Sequence, residues 1–146
     1  MKIAYAVAAL VAVALPGNAV AQSAVVVHRD PGCGCCEEWA EQARHALKRP
    51  VRMVDAPNRA VIAQRHGVPA ELGSCHTTII DGLAFEGHVP FVDVGRVLAS
   101  KPKGIRGLAV AGMPLGSPGM EVPGVQPQPY EVIAFGVGGK RVFSRH

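Results

Sequence analysis

The sequence has few aromatic residues, and its positive charges are not clustered. Phe, Trp and Tyr make up 5% of the 146 residues, whereas glycine (17) and proline (12) are frequent, so loops are expected to be prominent. The basic residues are scattered without forming a run, and recognition of nucleic acids usually needs a clustered basic patch. We therefore expect no nucleic acid among the partners. After the first 21 residues, no apolar segment is long enough to cross a membrane.

The one long apolar run lies at the N-terminus and has the layout of a secretory signal peptide. Lys2 precedes apolar residues 3–15, and residues 19–21 form an A-x-A cleavage site. The run is too short to span a bilayer comfortably, which argues against an uncleaved anchor. We predict a signal peptide over residues 1–21 and a single exported domain over residues 22–146, located in the bacterial periplasm. Loss of Lys2 would change the formal net charge from +4 to +3.

All four cysteines follow the predicted cleavage site, and three of them lie within four positions: Cys33, Cys35, Cys36 and Cys75. The periplasm is kept oxidising, so exposed free thiols do not persist easily there. The four thiols are therefore expected to form disulfides, a redox pair or a metal site.

Hydrophobic periodicity and turn signals predict alternating strands and helices. Short β-branched or alternating runs predict strands, and they are AVVVH (24–28), VRMVDA (51–56), HTTII (76–80), LAFEG (83–87), YEVIAF (130–135) and KRVFS (140–144). Apolar residues on one face predict helices, and these are CCEEWAEQARHALK (35–48), PNRAVIAQRHG (57–67) and FVDVGRVLAS (91–100). Asp81-Gly82 is a strong two-residue hairpin signal.

The first seven predicted elements follow the order β-α-β-α-β-β-α, which is that of a thioredoxin-like domain. By this analogy we predict an α/β fold with a central mixed sheet flanked by helices. Residues 101–129 are rich in glycine and proline and are expected to form a long C-terminal loop, before a closing hairpin with GVGG as its turn.

Cys33 and Cys36 form a C-x-x-C pair between the first strand and the first helix, a context typical of a redox or metal site. The helix N-terminus stabilises thiolates, so both sulfurs are expected to be good nucleophiles and good metal ligands. Gly34 is expected to keep Cys35 in a loop, because on a helix Cys35 would point away from Cys33. In the predicted fold Cys75 faces this helix N-terminus.

A third thiol in the loop favours a metal site over a simple dithiol. Cys35 would invite wrong pairing in a thiol-disulfide oxidoreductase, and adjacent cysteines cannot bond to each other without strain. Cu(I) prefers thiolates, and bridging sulfurs allow a few residues to hold several ions. Zinc is the alternative, since three cysteines and one histidine make a tetrahedral site. Cys75 and His76 are expected to complete the site, unless Cys75 forms a structural disulfide with the loop.

Four motifs in order, PGCGCCEEW, GVPAELGSCHT, EGHVP and GLAVAGMPLGSPGME, resemble the CopG-type periplasmic copper-resistance proteins, a bacterial family long catalogued as a domain of unknown function. The resemblance covers roughly residues 28–135. It implies a thioredoxin-like fold, a cysteine-bridged copper cluster and a role in copper handling or Cu(I)/Cu(II) interconversion. The ligands that it implies are Cys33, Cys35, Cys36 and Cys75, with His76 or His88 as nitrogen ligands.

Other soft or nitrogen donors lie in the same motifs or beside them. Met113 and Met120 carry thioethers that suit Cu(I) in oxidising compartments, although both are equally compatible with packing under the long loop. His28 stands where the family has a different lead-in, so its role is open. Copper ions, and other periplasmic copper-resistance proteins, are the expected partners. Four functions are left open: a copper-binding protein, an enzyme such as a copper oxidoreductase, a thiol-disulfide oxidoreductase that uses Cys33 and Cys36, and a disulfide-stapled module.

Overall fold

The computed structural model describes residues 23–146, so the predicted signal peptide over residues 1–21 lies outside the described part of the chain. The strands are β1 (Val25–Arg29), β2 (Val51–Asp55), β3 (His76–Ile80), β4 (Leu83–Glu86), β5 (Ile105–Ala109), β6 (Glu131–Gly136) and β7 (Gly139–Arg145). The α-helices are α1 (Gly34–Leu47), α2 (Arg59–Arg65) and α3 (Phe91–Ser100), and a 3-10 helix spans Ala70–Leu72. None of the helices within residues 23–146 has the length and apolar character needed to span a bilayer.

The seven strands form one mixed sheet in the order β2-β1-β3-β4-β5-β6-β7. Strand β1 pairs parallel with β2 and antiparallel with β3, and β3 continues antiparallel to β4. Strand β5 pairs parallel with β4, and β6 and β7 extend the sheet in antiparallel fashion. The predicted mixed α/β architecture is therefore present. Of the three strands that follow β4 along the sheet, β6 and β7 correspond to the predicted closing hairpin and β5 was not predicted.

The helices cover both faces of the sheet and create two apolar clusters. Helices α1 and α3 bury Trp39, Ala43 and Val94 against the strand residues Val27 and Phe85 in the larger cluster. The smaller cluster, which includes Ala63 of α2, lies against other strand residues. The single tryptophan is completely buried, as its position on the apolar face of α1 predicts.

Strand pairing brings the two cysteine segments together. The last residue of β1, Arg29, pairs with His76, the first residue of β3. Just beyond this pair, the backbone N–H of Asp30 donates to the carbonyl of Cys75 at 3.1 Å. The loop that precedes α1 and the segment that precedes β3 are consequently fixed side by side at one edge of the sheet.

The expectation of a continuous loop over residues 101–129 is wrong in its first part, because β5 lies there. Gly107 explains why its sequence does not read as a strand. Glycine weakens a strand in isolation, but a Cβ at this position would lie 1.8 Å from the Ala84 carbonyl oxygen of β4. Close pairing with β4 therefore requires the residue that local propensity disfavours. No strand or helix is present between β5 and β6, residues 110–130.

The predicted hairpin between β3 and β4 is present, and it supplies a test of one surface ion pair. Asp81 and Gly82 both have positive φ, 50° and 83°, as a type I′ turn requires. The Arg49 guanidinium donates to both carboxylate oxygens of Asp81, at 2.7 and 2.9 Å. This contact, with a smaller contribution from Ser23, lowers the pKa of Asp81 from 3.8 to about 2.

Asp81→Asn is expected to remove the ion pair and keep the turn, since Asn-Gly forms type I′ turns readily. Because the folded-state pKa is lowered, the contribution to stability is present above the unfolded pKa of about 3.8 and is lost as the pH falls towards 2. The partly exposed pair should contribute less than about 1 kcal/mol. Urea unfolding of both proteins at pH 7 and at pH 2.5 should show a difference that shrinks at the lower pH. A difference independent of pH would contradict this assignment.

Candidate metal centre

Four cysteine sulfurs from two segments meet in one cluster. The Sγ atoms of Cys33, Cys35, Cys36 and Cys75 all lie within 4.8 Å of one another. Cys33 directly precedes α1, Cys35 and Cys36 lie in its first turn, and Cys75 is the residue before β3. The structure thus brings together all four cysteines that the sequence analysis selected, although their role as metal ligands stays a prediction.

Cys33 and Cys36 are joined by a disulfide in this structure, while Cys35 and Cys75 are free. The alternative of a structural disulfide between Cys75 and the loop is therefore not what the structure contains. Cys33 and Cys36 are also not thiolates in this oxidised form, contrary to expectation, because their sulfurs are bonded to each other. Of the three crowded thiols, the two that pair are those of the C-x-x-C motif noted in the sequence.

The expectation that Gly34 keeps Cys35 in a loop is wrong, because α1 begins at Gly34 itself. Cys33 precedes the helix with extended backbone geometry, φ −71° and ψ 101°. Because Cys33 lies outside the helix, the helical rule that residues two apart point in different directions does not apply to Cys33 and Cys35. Their Sγ atoms lie 3.4 Å apart, so Cys35 contributes to the cluster from within the first helical turn.

Cys75 lies at the centre of the donor set. Its Sγ is 4.0 Å from Cys35 Sγ, 3.1 Å from His88 Nε2 and 3.5 Å from His76 Nδ1. Burial raises the pKa of the Cys75 thiol to about 12, and the nearby Cys35 adds to the shift. Cys75 is consequently a protonated thiol at neutral pH, and a metal that binds it must displace that proton.

His88 is oriented by a backbone carbonyl of the long loop. Its Nδ1 lies 2.8 Å from the carbonyl oxygen of Pro118. A carbonyl can only accept, so Nδ1 carries the proton and Nε2 presents its lone pair towards Cys75. Burial lowers the pKa of His88, which favours the neutral ring. A histidine held by its second nitrogen in this way is the usual arrangement of a metal ligand.

His76 is the second histidine at the site and is completely buried. Its ring lies 4.9 Å from the Trp39 ring and 4.9 Å from the His88 ring, centroid to centroid. Burial holds the pKa of His76 well below its usual value, and the neighbouring His88 acts in the same direction. Within residues 23–146, His76 Nε2 has no hydrogen-bond partner. The imidazole is therefore neutral, and its Nδ1 faces the Cys75 sulfur.

The two methionines of the long loop are placed differently with respect to the cluster. Met113 Sδ lies 3.9 Å from Cys35 Sγ, and this side chain is half exposed. Met120 makes no such sulfur contact among the described residues. His28 lies within β1 and pairs with Thr77 in register. Within the described chain it belongs neither to the four-cysteine cluster nor to the group of neighbouring donor atoms formed by Cys75, His76 and His88. Met113 is thus the thioether that the fold brings to the sulfur cluster.

A buried ion pair that the sequence analysis did not select fixes the two cysteine segments. Glu86 is completely buried and accepts a 2.7 Å hydrogen bond from Arg59 and a 2.8 Å hydrogen bond from the backbone N–H of Ser74. Arg59 also donates to Asp30 at 3.1 Å. The pair therefore connects the residue before Cys75 to the loop that leads to Cys33. A glutamate inside a short apolar strand is a signal that could have predicted a buried partner.

The donor set matches a soft metal. Four cysteine sulfurs, a thioether and two neutral imidazoles converge, and thiolate and thioether ligands suit soft or borderline metals such as Cu(I), zinc and the iron of iron–sulfur clusters. Reduction of the Cys33–Cys36 disulfide is needed before all four cysteines can act as thiolates. The fold and the site define an α/β protein with a sulfur-rich candidate metal centre.

Comparison with known proteins agrees with this description. A solved structure described as copper resistance protein CopG, form 1, is 37% identical with a TM-score of 0.77, and the match covers 86% of this chain and 98% of the other. Form 2 is 38% identical with a TM-score of 0.75, and the match covers 84% and 97%. The family model described as "Protein of unknown function, DUF411" matches residues 72–120. No curated protein sequence matches the chain significantly.

At this identity and coverage, the chain belongs to the CopG-type family of copper-resistance proteins. The resemblance carried by the four sequence motifs is thereby confirmed.

Proposed function

We propose that this chain is an exported, periplasmic copper-binding protein that holds Cu(I) in a cysteine thiolate cluster and contributes to copper resistance. The observation that carries the proposal is the convergence of four cysteine sulfurs within 4.8 Å. Membership in a copper-resistance family supports copper as the cargo. In this proposal Cys33, Cys35, Cys36 and Cys75 are the sulfur ligands, and His88 and His76 supply nitrogen.

The composition of the site favours copper over zinc. A closed zinc site needs four ligands in a tetrahedron, whereas this site offers four cysteines, two imidazoles and a thioether. Bridging thiolates would use this excess of sulfur to hold more than one Cu(I) ion. When bound, copper would also supply one-electron chemistry, which is the basis for a proposed role in Cu(I)/Cu(II) interconversion.

The proposal also covers the domain, its location and its partners. The order of the first four strands, with α1 leading from the site, is compatible with a single thioredoxin-like domain over residues 22–146. A signal peptide over residues 1–21 would place that domain in the periplasm, where other copper-resistance proteins are the expected partners. Met113 is half exposed beside Cys35, which supports contact between the cluster and such a partner.

Metal competition on the reduced protein tests the choice of ion. Protein reduced anaerobically and freed of reductant is supplied with equimolar Cu(I) and Zn(II), and both metals are counted after desalting. We expect at least two copper ions per chain and little zinc. One zinc ion per chain with substoichiometric copper would overturn the proposal in favour of a zinc site.

A second candidate function, thiol-disulfide exchange, is favoured by the Cys33–Cys36 disulfide at the N-terminus of α1. This is where a C-x-x-C pair is activated in redox proteins. An insulin-reduction assay on metal-free protein separates the two functions. Activity that is abolished by Cys36→Ser but survives Cys35→Ser would support the oxidoreductase, because exchange needs only the C-x-x-C pair.

A further inference from the structure

The disulfide divides the four cysteines into two chemically different pairs. The thiolate is the form of cysteine that binds metals, so Cys33 and Cys36 are withdrawn as thiolate ligands while they are bonded to each other. Cys35 and Cys75 remain free. Any copper binding by this oxidised form must therefore depend on the second pair.

Each member of the free pair has another donor beside it. The sulfurs of Cys35 and Cys75 are 4.0 Å apart, and His88 Nε2 is 3.1 Å from Cys75 Sγ. Met113 Sδ lies 3.9 Å from Cys35 Sγ on the solvent side. These four donors come from four segments of the chain: α1, the residue before β3, the β4–α3 connection and the loop after β5.

His88 is available as a ligand whether or not the disulfide is present. Its Nδ1–H donates to the Pro118 carbonyl, which leaves the Nε2 lone pair directed at Cys75. Neither His88 nor Pro118 belongs to the C-x-x-C segment, so breaking the disulfide does not remove either group. Two thiols, one imidazole and one thioether form a set that suits a single Cu(I) ion, but they are too few to build a cluster with several bridging thiolates.

We propose that the oxidised protein keeps a one-copper site formed by Cys35, Cys75, His88 and Met113, and that reduction of the Cys33–Cys36 disulfide raises its copper capacity. The inference rests on the proposed function and adds to it a dependence on redox state. In the switching step the Cys33–Cys36 S–S bond breaks and takes up two electrons and two protons. A dithiol reductant supplies them and becomes a disulfide, so that two further thiols join the site.

Counting copper in the two redox states of the wild-type protein tests the proposal. One sample keeps its disulfide, and the other is reduced and freed of reductant under argon. Both are titrated with Cu(I) against bicinchoninate, a chelator that reports free Cu(I) by its colour. Alkylation and mass spectrometry after unfolding confirm two free thiols in the first sample and four in the second. We expect one copper per chain in the oxidised protein and at least two in the reduced protein.

The Cys33→Ser/Cys36→Ser double variant provides a matched control, because it cannot form the disulfide and keeps the other donors. It should bind one copper before and after reductant treatment. The oxidised His88→Gln variant should bind Cu(I) at least about tenfold more weakly than the oxidised wild-type protein. The oxidised Met120→Leu variant should bind Cu(I) within about twofold of wild type.

The outcomes separate the inference from the function on which it rests. Oxidised protein that binds no copper, or as much copper as the reduced protein, would overturn the inference and leave the proposed function intact. A double variant whose capacity changes with reductant would also overturn it. Reduced protein that binds no copper would overturn the proposed function itself.

Discussion

Replacing Cys75 with serine is expected to weaken Cu(I) binding by the reduced protein at least about 100-fold and to lower the number of ions that it holds. Loss of a group that only orients a ligand typically costs 10–100-fold in metal affinity, so loss of a direct ligand should cost at least the upper value. Cys75 is also the one cysteine of the cluster that does not belong to residues 33–36 at the start of α1. Without it, the remaining thiols have no cysteine partner from another segment of the chain.

The fold should tolerate this substitution. Serine is smaller than cysteine, and its hydroxyl can donate to His88 Nε2, which lies 3.1 Å from the sulfur that it replaces. The free energy of unfolding should therefore change by no more than about 1 kcal/mol. Competition with a Cu(I) chelator, together with urea unfolding of the metal-free protein, measures both quantities.

Met120→Leu is the matched control for removal of a sulfur atom. Met120 lies on the same loop as Met113, but among the described residues its sulfur does not contact the cluster, and leucine preserves its bulk. Its copper affinity should stay within about twofold of wild type. Equal copper binding by the Cys75→Ser variant and the wild-type protein would contradict the assignment of Cys75 as a ligand.

Much of the fold could be predicted from local patterns, and the exception has a tertiary cause. The alternation of buried residues in β1, the apolar face of α1 and the Asp81-Gly82 turn each act over a few neighbouring residues, so the sequence expresses them directly. Strand β5 was not predicted because it contains Gly107, a residue that local propensity disfavours but that close pairing with β4 requires. The 1.8 Å separation between its added Cβ and the Ala84 oxygen depends on a strand more than twenty residues away.

The candidate site divides in the same way. Cysteine spacing and the position of Cys75 before β3 predicted which sulfurs meet, since the order of the elements already places them at one edge of the sheet. The disulfide joins the two cysteines of the C-x-x-C motif that the spacing singled out. That Cys35 reaches the cluster from within α1 could not be predicted, because it depends on the extended backbone of Cys33. The orientation of His88 depends on the Pro118 carbonyl, thirty residues along the chain, and no local pattern reports that contact.

The close approach of the long loop to α1 is the structural feature that makes His88 a ligand candidate. Gly119 has φ +82°, and a Cβ there would lie 2.7 Å from the Trp39 nitrogen and 2.8 Å from the Cys35 carbonyl oxygen. Both are backbone atoms of a helix, so neither can move aside alone. Gly119 therefore allows Pro118 to reach His88.

Gly119→Ala is expected to lower the free energy of unfolding by about 2–4 kcal/mol, the sum of positive-φ strain and displacement of packed backbone. Because the loop must retreat from α1, the Pro118 carbonyl should lose its hydrogen bond to His88. Copper affinity should then fall by about 10–100-fold, as expected when the partner that orients a histidine ligand is removed.

Gly124→Ala supplies the comparison on the same loop. Gly124 also has positive φ, +77°, but nothing lies within 4 Å of an added Cβ. It should show only the conformational strain, about 1–2 kcal/mol, with copper affinity unchanged. Urea unfolding and Cu(I) competition on both variants separate the effect of backbone strain, which both share, from the effect of contact with α1, which only Gly119→Ala has. If both alanine variants lost stability and copper affinity equally, contact between the loop and α1 would not be what holds His88 in place.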